Sequence, residues 1–374
     1  YLFARDRAFL DICAVTEHFA GSEGFPIPVV DKPLGDSAQF WPLAQRAVYD
    51  FYEPGTFVTL LGYEYTPRSG RGKVGDHCVY FLDPGHALVC DPSFGALVKR
   101  CAETDALIIP HVGGGWTDWQ FEHFDEKAIR LVEVASMHEH SEWFAQDGLS
   151  RGFKLGIVGM SDGHIGCPGL DVWSRHGRTP NFKKRHFSVQ SAITAVLAPD
   201  LTREAVWDAL ENRRVYATTG QRILLDFQMD GLGMGESYQT ASPPKVKVEV
   251  NGMAKIDRVD LIRNQSLIHT HFGEDEDESF TFEDKFAPAG ESYYYVRVTQ
   301  SDSSFAWSSP IWVTFTGAPQ KSETPEKAWN ADPWPPAQTA QDVNYLSRVT
   351  AHIAPQTDAA RLDLEQIGVF EEQR

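Results

Sequence analysis

The chain has 374 residues, with 34 Lys plus Arg against 52 Asp plus Glu, a formal net charge of −18. An apolar fraction of 42% with 23% charged residues is that of a globular protein, and it excludes a disordered chain or a repetitive fibre. No apolar run approaches the ~20 residues that span a bilayer, and the acidic balance repels phosphate backbones, so neither a membrane nor a nucleic acid is expected as a partner.

The length points to about two or three domains. Cys13, Cys78, Cys90, Cys101 and Cys167 form an odd set without a CxxC pair, which reads as reduced thiols and a cytoplasmic location. The stretch from Tyr1 to Ala8 reads as the middle of a helix, so residues upstream of Tyr1 are expected.

In chain order, Leu10–Thr16 reads as a strand and Ser37–Tyr52 as a helix, capped by Asp36 or Ser37. Val58–Tyr63 and Cys78–Leu82 are strands, Ser93–Thr104 a helix and Ala106–Ile109 a buried strand. Ile129–Val134, a helix over Ser141–Gly152, then Leu155–Gly159 and Ala192–Leu197 continue the alternation, and Thr202 caps a helix to Asn212. Strands alternating with helices predict a parallel sheet with helical crossovers, open or closed as a barrel.

After Gly220 the period changes to two. Lys245–Val250, Val259–Ile262, Ser279–Phe282, Tyr293–Val298 and Ile311–Phe315 read as strands of a small antiparallel sandwich, with an acidic loop at Gly273–Glu278. Pro319–Gln341 is Pro-rich and holds Trp329 and Trp334, like an extended arm on a surface. The expected domains are thus 1–225, a first unit of strands and helices; 226–317, the sandwich; and 318–374, the arm and tail. Such an arm serves subunit or interdomain packing, so a homo-oligomer is one option.

Several polar residues share one address, the C-terminal end of a predicted strand: Thr16-Glu17-His18, Glu64, His111, His138, and Asp162 with His164. In a parallel α/β fold these ends open onto one face, where the site sits. Imidazole nitrogen beside carboxylate oxygen suits Zn, Mn or Fe, and two or three such ions activate water for hydrolysis. Singly, each residue reads equally as a hydrogen-bonded structural side chain; the set carries the inference.

The ordered motifs Ala14-Val-Thr-Glu-His18, Gly62-Tyr-Glu-Tyr65, Ile109-Pro-His111, Val132-Glu-Val134 with His138, and Gly159-Met-Ser-Asp-Gly-His164 resemble those of the PHP (polymerase and histidinol phosphatase) superfamily. The stretch Thr194–Ile223 narrows the resemblance to the PHP-like domain-of-unknown-function 3604 family, in which a small β domain follows the barrel. The resemblance implies an α/β fold, a distorted (β/α)7 TIM-like barrel of PHP type over 1–225 followed by the small antiparallel β-sandwich domain. It also implies two or three divalent metal ions (Zn, Mn or Fe) on His18, Glu64, His111, His138, Asp162 and His164, with Glu64 as the bridging carboxylate. Thr-Glu-His stands where the family has Thr-Asp-His, which makes Glu17 one methylene longer. The family's first motif, a His-x-His, is absent and is expected upstream of Tyr1.

His138 and His77 are further candidates for catalysis, His77 because the family places a His just before that strand, and Arg222 is a candidate for binding an anionic group. Glu139, His140 and Glu142 crowd His138 as supporting partners or a proton relay. Gly113–Gly115 with Trp116 and Trp119 reads as an aromatic-walled loop beside His111.

The expected function is a metal-dependent hydrolase, a phosphoesterase by superfamily analogy, acting on a small-molecule substrate that is anionic if it is a phosphoester. The alternatives are hydrolysis of a C–O or C–N bond in an organic substrate, and a non-catalytic binding or assembly module with a degenerate metal site. A carbohydrate-active enzyme with paired carboxylates would use the tryptophans, but it has no need of the histidines.

Overall fold

The computed structural model describes residues 1–20, 37–66, 76–91, 93–111, 121–136, 140–163, 166–169 and 192–320. The first half comprises α1 (Leu2–Asp6), β1 (Ile12–Val15), β2 (His18–Ala20), α2 (Ser37–Asp50), β3 (Val58–Thr66), β4 (His77–Phe81), α3 (Phe94–Ala102), β5 (Ala106–Pro110), β6 (Leu131–Ala135), α4 (Glu142–Ser150), β7 (Gly156–Gly159), β8 (Ile193–Val196) and α5 (Arg203–Glu211). It continues into β9 (Val215–Thr218), β10 (Leu224–Met229), β11 (Ser237–Thr240), β12 (Lys245–Asn251), β13 (Ile256–Arg263), β14 (Ser266–Phe272), β15 (Asp277–Glu283), β16 (Gly290–Gln300), β17 (Phe305–Ser308) and β18 (Ile311–Phe315).

Helix ends follow local chemistry. The Ser93 hydroxyl accepts from the Ala96 amide at the start of α3, and Thr202 accepts from Ala205 at the start of α5. α3 buries Phe94, Leu97, Val98 and Cys101, and α5 buries Arg203, Val206, Trp207 and Leu210. Both sets recur at i, i+3, i+4 and i+7, so each helix presents one stripe to the sheet. Arg203 is tolerated there because its guanidinium donates to the Thr59 carbonyl at 2.9 Å and lies over the Tyr52 ring.

The (β/α)7 barrel expected from the alternation is not what forms. Among the described residues the chain is mostly strand, 41% against 18% helix, with only five α-helices and several separate sheets. β1 and β2 pair with β3 in parallel, but β4 runs antiparallel to both β3 and β5, and β6 pairs with β7 alone. β8 and β9 are antiparallel and join the large sheet of the second half through β17, where Ala217 faces Trp307. Two physical facts explain the departure. Residues 67–76 number ten, short of the dozen or more that a parallel return through a crossover takes. And a helix between two strands does not fix their relative direction, as β4–α3–β5 and β8–α5–β9 show.

The second half faces a three-stranded sheet, β10–β12–β15, with an eight-stranded one containing β11, β18, β16, β17, β9 and β8, with β13 and β14 at its side. Strict alternation along β12 buries Val246, Val248 and Val250 and exposes the residues between. These valines meet Phe227, Val259, Leu261, Val296, Val298 and Val313 in one core.

A polar seam joins α4 to this sheet. The Glu142 carboxylate accepts from Arg297 Nη1 at 3.0 Å, Trp307 Nε1 at 3.0 Å and the Tyr295 hydroxyl at 2.6 Å. Arg297 Nη2 donates to Asp260 at 2.9 Å, and Asp260 also accepts from Thr270. The Gln146 side chain binds the Tyr295 and Tyr293 hydroxyls. Burial of these charges is sustained by their mutual pairing.

Candidate functional site

β3 carries Glu64, β4 carries Cys78 and β5 leads into His111, and strand register decides which face each side chain takes. Glu64 is opposite Cys78, which is opposite Ile109. His111 follows Ile109 by two positions and so shares its face. On that face lies a cavity of about 200 Å³, lined by Glu64, Cys78, His111, Glu133 and Asp162 together with the apolar walls described below.

Glu64 lies between two imidazoles. Its Oε1 is 3.1 Å from His111 Nε2 and its Oε2 is 3.4 Å from His18 Nε2. Asp162 Oδ2 is 3.8 Å from His111 Nδ1. The His111, Glu64 and Asp162 side chains are 2%, 7% and 7% exposed, whereas His18 is 32% exposed. Asp162 adopts φ +49°, a left-handed conformation that is costly outside glycine and clusters at functional sites.

Burial alone would discharge His111, but the Cys78 thiol and the Glu64 and Glu133 carboxylates around it override that and hold its pKa well above the ordinary value. Burial pushes Glu133 well above the usual carboxylate range; His111 opposes this and the Asp162 charge adds to it. The cavity is acidic, since no Lys or Arg lines it among the described residues.

The remaining walls are apolar, including Leu10, Ile12, Leu60, Ile109, Val158 and Met160. Tyr80 is fixed against one of them by its hydroxyl, 3.2 Å from Met160 Sδ.

The structure therefore brings His18, Glu64, His111 and Asp162 together. His138 and His164 lie outside the described residues, as do Glu139 and the loop at 113–119. His77 is not brought to the cavity. It pairs with Tyr65 and Pro110, the opposite parity from Cys78, and its ring stacks on Phe94 of α3 at 4.2 Å. Burial, then His111, lowers its pKa well below the ordinary value. Arg222 holds the turn after α1, donating to the carbonyls of Ala8 and Phe9 at 2.7 and 2.6 Å. Glu142 belongs to the seam with the second half, and His140 packs edge-on against Phe305 and Trp307.

Sequence reasoning quoted Glu133 within a motif and counted Cys78 among the thiols but gave neither a role in the site. The available signal was an ionisable residue inside an otherwise apolar strand, Leu131-Val-Glu-Val-Ala135, all of it buried.

The donor chemistry suits a hard or borderline divalent ion: imidazole nitrogen, carboxylate oxygen and one buried carboxylate oxygen, Glu133 Oε2, without a hydrogen-bond partner among the described residues. Among those residues no three donors converge into a ready cage.

Fold and site together define a β-rich, two-part protein with an acidic, imidazole-containing cavity in its first half. Residues 143–252 match the family model described as a protein of unknown function (DUF3604), which supports the family indicated by the closing stretch of the first half. An uncharacterized protein of Chlamydia pneumoniae is 28% identical over 319 residues, covering 74% of this chain and 50% of that protein. Another, of Chlamydia trachomatis, is 26% identical over 366 residues, covering 82% and 54%. The chain spans about half the length of the curated relatives it matches. Among solved structures, fibronectin(III)-like modules of Clostridium thermocellum CbhA match with TM-score 0.19 and 15% identity over 25% of this chain and 99% of that one. An endo-beta-1,4-mannanase from Thermotoga petrophila matches with TM-score 0.20 and 8% identity over 75% and 61%. At these scores neither structure bears on the fold. No described helix is long and apolar enough to cross a membrane.

Proposed function

We propose that the chain is a metal-dependent hydrolase, a phosphoesterase related by its ordered motifs to the PHP superfamily. The observation that carries this reading is Glu64, a buried carboxylate set between His18 and His111 at the floor of a cavity that also holds Asp162. His18, Glu64, His111 and Asp162 would hold the ions, together with His138 and His164 from the sequence motifs. Two or three Zn, Mn or Fe ions bound there supply Lewis acidity and an acidified water near neutral pH.

The chain's own residues do the rest. Glu64 fixes the orientation of both imidazoles. Asp162 lies 3.8 Å from the second nitrogen of His111, so the ring stands between two carboxylates. The apolar walls exclude bulk water, which strengthens every charge interaction inside.

The same walls favour a second reading, attack on a C–O or C–N bond in an organic substrate. Leu60, Ile109, Val158 and Met160 offer contact to carbon rather than to phosphoryl oxygen.

Elemental mass spectrometry on protein purified without added metal tests the class. The expected result is two or more equivalents of Zn, Mn or Fe per chain, lost in the His111→Ala, Asp162→Ala double variant. Substoichiometric metal that the variant leaves unchanged, and that added Zn, Mn or Fe does not restore, overturns the hydrolase and leaves a binding module. A phosphomonoester and phosphodiester panel beside an ester and amide panel then separates the two readings.

A further inference from the structure

We propose that Glu133 is a further residue of this site, a third carboxylate that completes its cation-binding capacity. This inference rests on the metal-dependent reading above and deepens it.

β6 buries all five of its residues, and four of them are apolar. Val132 and Val134 pack into the core with residues of α3 and α4, as does Ala135 beyond a register shift after Glu133, whereas Leu131 packs with Leu60, Cys78, Ile109 and Val158 on the cavity side. Glu133 shares the parity of Leu131 and lies in register with Val158 of β7. Its carboxylate therefore lines the cavity, at 2% exposure.

A carboxylate placed among aliphatic side chains is costly unless something pairs with it. Glu64 and Asp162 each have an imidazole, but Glu133 forms no ion pair among the described residues, and its Oε2 accepts no hydrogen bond from them. Ser136 bonds the carboxyl group and leaves that oxygen open. The residue that carries this unmet acceptor lines a cavity with no described Lys or Arg. A divalent cation supplies what is missing. It also sets the charge balance: three carboxylates under two divalent ions leave one net positive charge toward an anionic ester, whereas two carboxylates leave two. On this account Glu133 tunes the site toward a singly charged substrate group.

Isothermal titration of MnCl2 and ZnCl2 into the metal-stripped protein tests this, with wild type, Glu133→Gln and His111→Ala compared. Melting of each metal-free protein is measured in parallel. The expected result is that wild type binds, His111→Ala does not, and Glu133→Gln binds at least about 10-fold more weakly. Metal-free Glu133→Gln should melt at or above wild type, because an isosteric neutral side chain keeps an acceptor for Ser136 and removes a buried charge. Glu133→Gln binding within twofold of wild type overturns the role of Glu133 and leaves the hydrolase reading standing. Metal-free Glu133→Gln melting well below wild type also overturns it, since that reveals a partner for Oε2 within the chain. No binding by wild type overturns the hydrolase reading itself.

Discussion

Arg297→Met probes the polar seam between α4 and the large sheet. The guanidinium joins Glu142 at 3.0 Å and Asp260 at 2.9 Å, and the three side chains are 3%, 7% and 1% exposed. Removing the cation leaves two buried carboxylates without the guanidinium they share, and breaking a buried pair from one side costs ~3–5 kcal/mol. The lower end applies, because Glu142 keeps its bonds from Tyr295 and Trp307, and Asp260 keeps Thr270 and the Arg258 guanidinium at 3.2 Å. At ~2.1 cal/mol/K of unfolding entropy per residue, ~3 kcal/mol in a chain of 374 residues corresponds to a fall in Tm of about 4 °C. Urea unfolding followed by tryptophan fluorescence reads it directly, since Trp307 donates to Glu142. Adding Glu142→Gln to Arg297→Met removes one of the stranded charges while keeping an acceptor for Tyr295 or Trp307, so the double variant should recover at least about 1 kcal/mol of the summed losses. A loss below ~1 kcal/mol for Arg297→Met, or strict additivity in the double variant, would refute the idea that these charges are mutually dependent.

Two further outcomes are expected. Gly62→Ala should cost ~1–3 kcal/mol by thermal melting, because a Cβ on β3 would lie 2.7 Å from the Tyr80 ring and 2.9 Å from the Val79 carbonyl; an unchanged Tm would show that the Tyr80 ring moves aside freely. Glu278 accepts from His271 at 2.9 Å and from the amides of Asp275 and Glu274, in that order of effect, and its pKa falls from an ordinary 4.5 to about 2. A depressed carboxylate pKa adds stability that is fully present above the unfolded value and disappears as pH drops through the folded one. The contribution should therefore be complete above pH 4.5 and fade toward pH 2, and Glu278→Gln should flatten that part of the pH–stability curve; parallel curves for the two proteins would contradict it.

How far the fold could be read from sequence depended on the kind of signal. Helix caps are local: Ser93 and Thr202 sit where an N-cap is needed and accept the expected amides. Period-two alternation marked β12, whose exposed and buried positions alternate without a break. β9 and β17 gave no such signal, since each has four residues and buries all of them, so alternation has nothing to alternate. β14 is partly buried along nearly its whole length for the opposite reason, as one edge of its sheet that meets β13 alone. Strand direction left no local trace at all, which is why the alternation of strands and helices suggested a barrel that does not form.

The site was more legible than the fold around it, and one strand explains why. β5 is antiparallel to β4, which is antiparallel to β3, so β3 and β5 share a direction even though the strand between them is reversed. Residues near the C-terminal ends of β3 and β5, Glu64 and His111, consequently meet, as the strand-end rule requires. His77 stands at that same end of the sheet, at the start of β4, but an address along the strand does not specify the face. Its parity is that of Tyr65 rather than Glu64, and it turns to Phe94. Parity also places Glu133, which sits mid-strand, where no strand-end rule would look for it. What marks it is energetic rather than topological: a strand that buries every residue has no reason to include a carboxylate unless something in the cavity pairs with it.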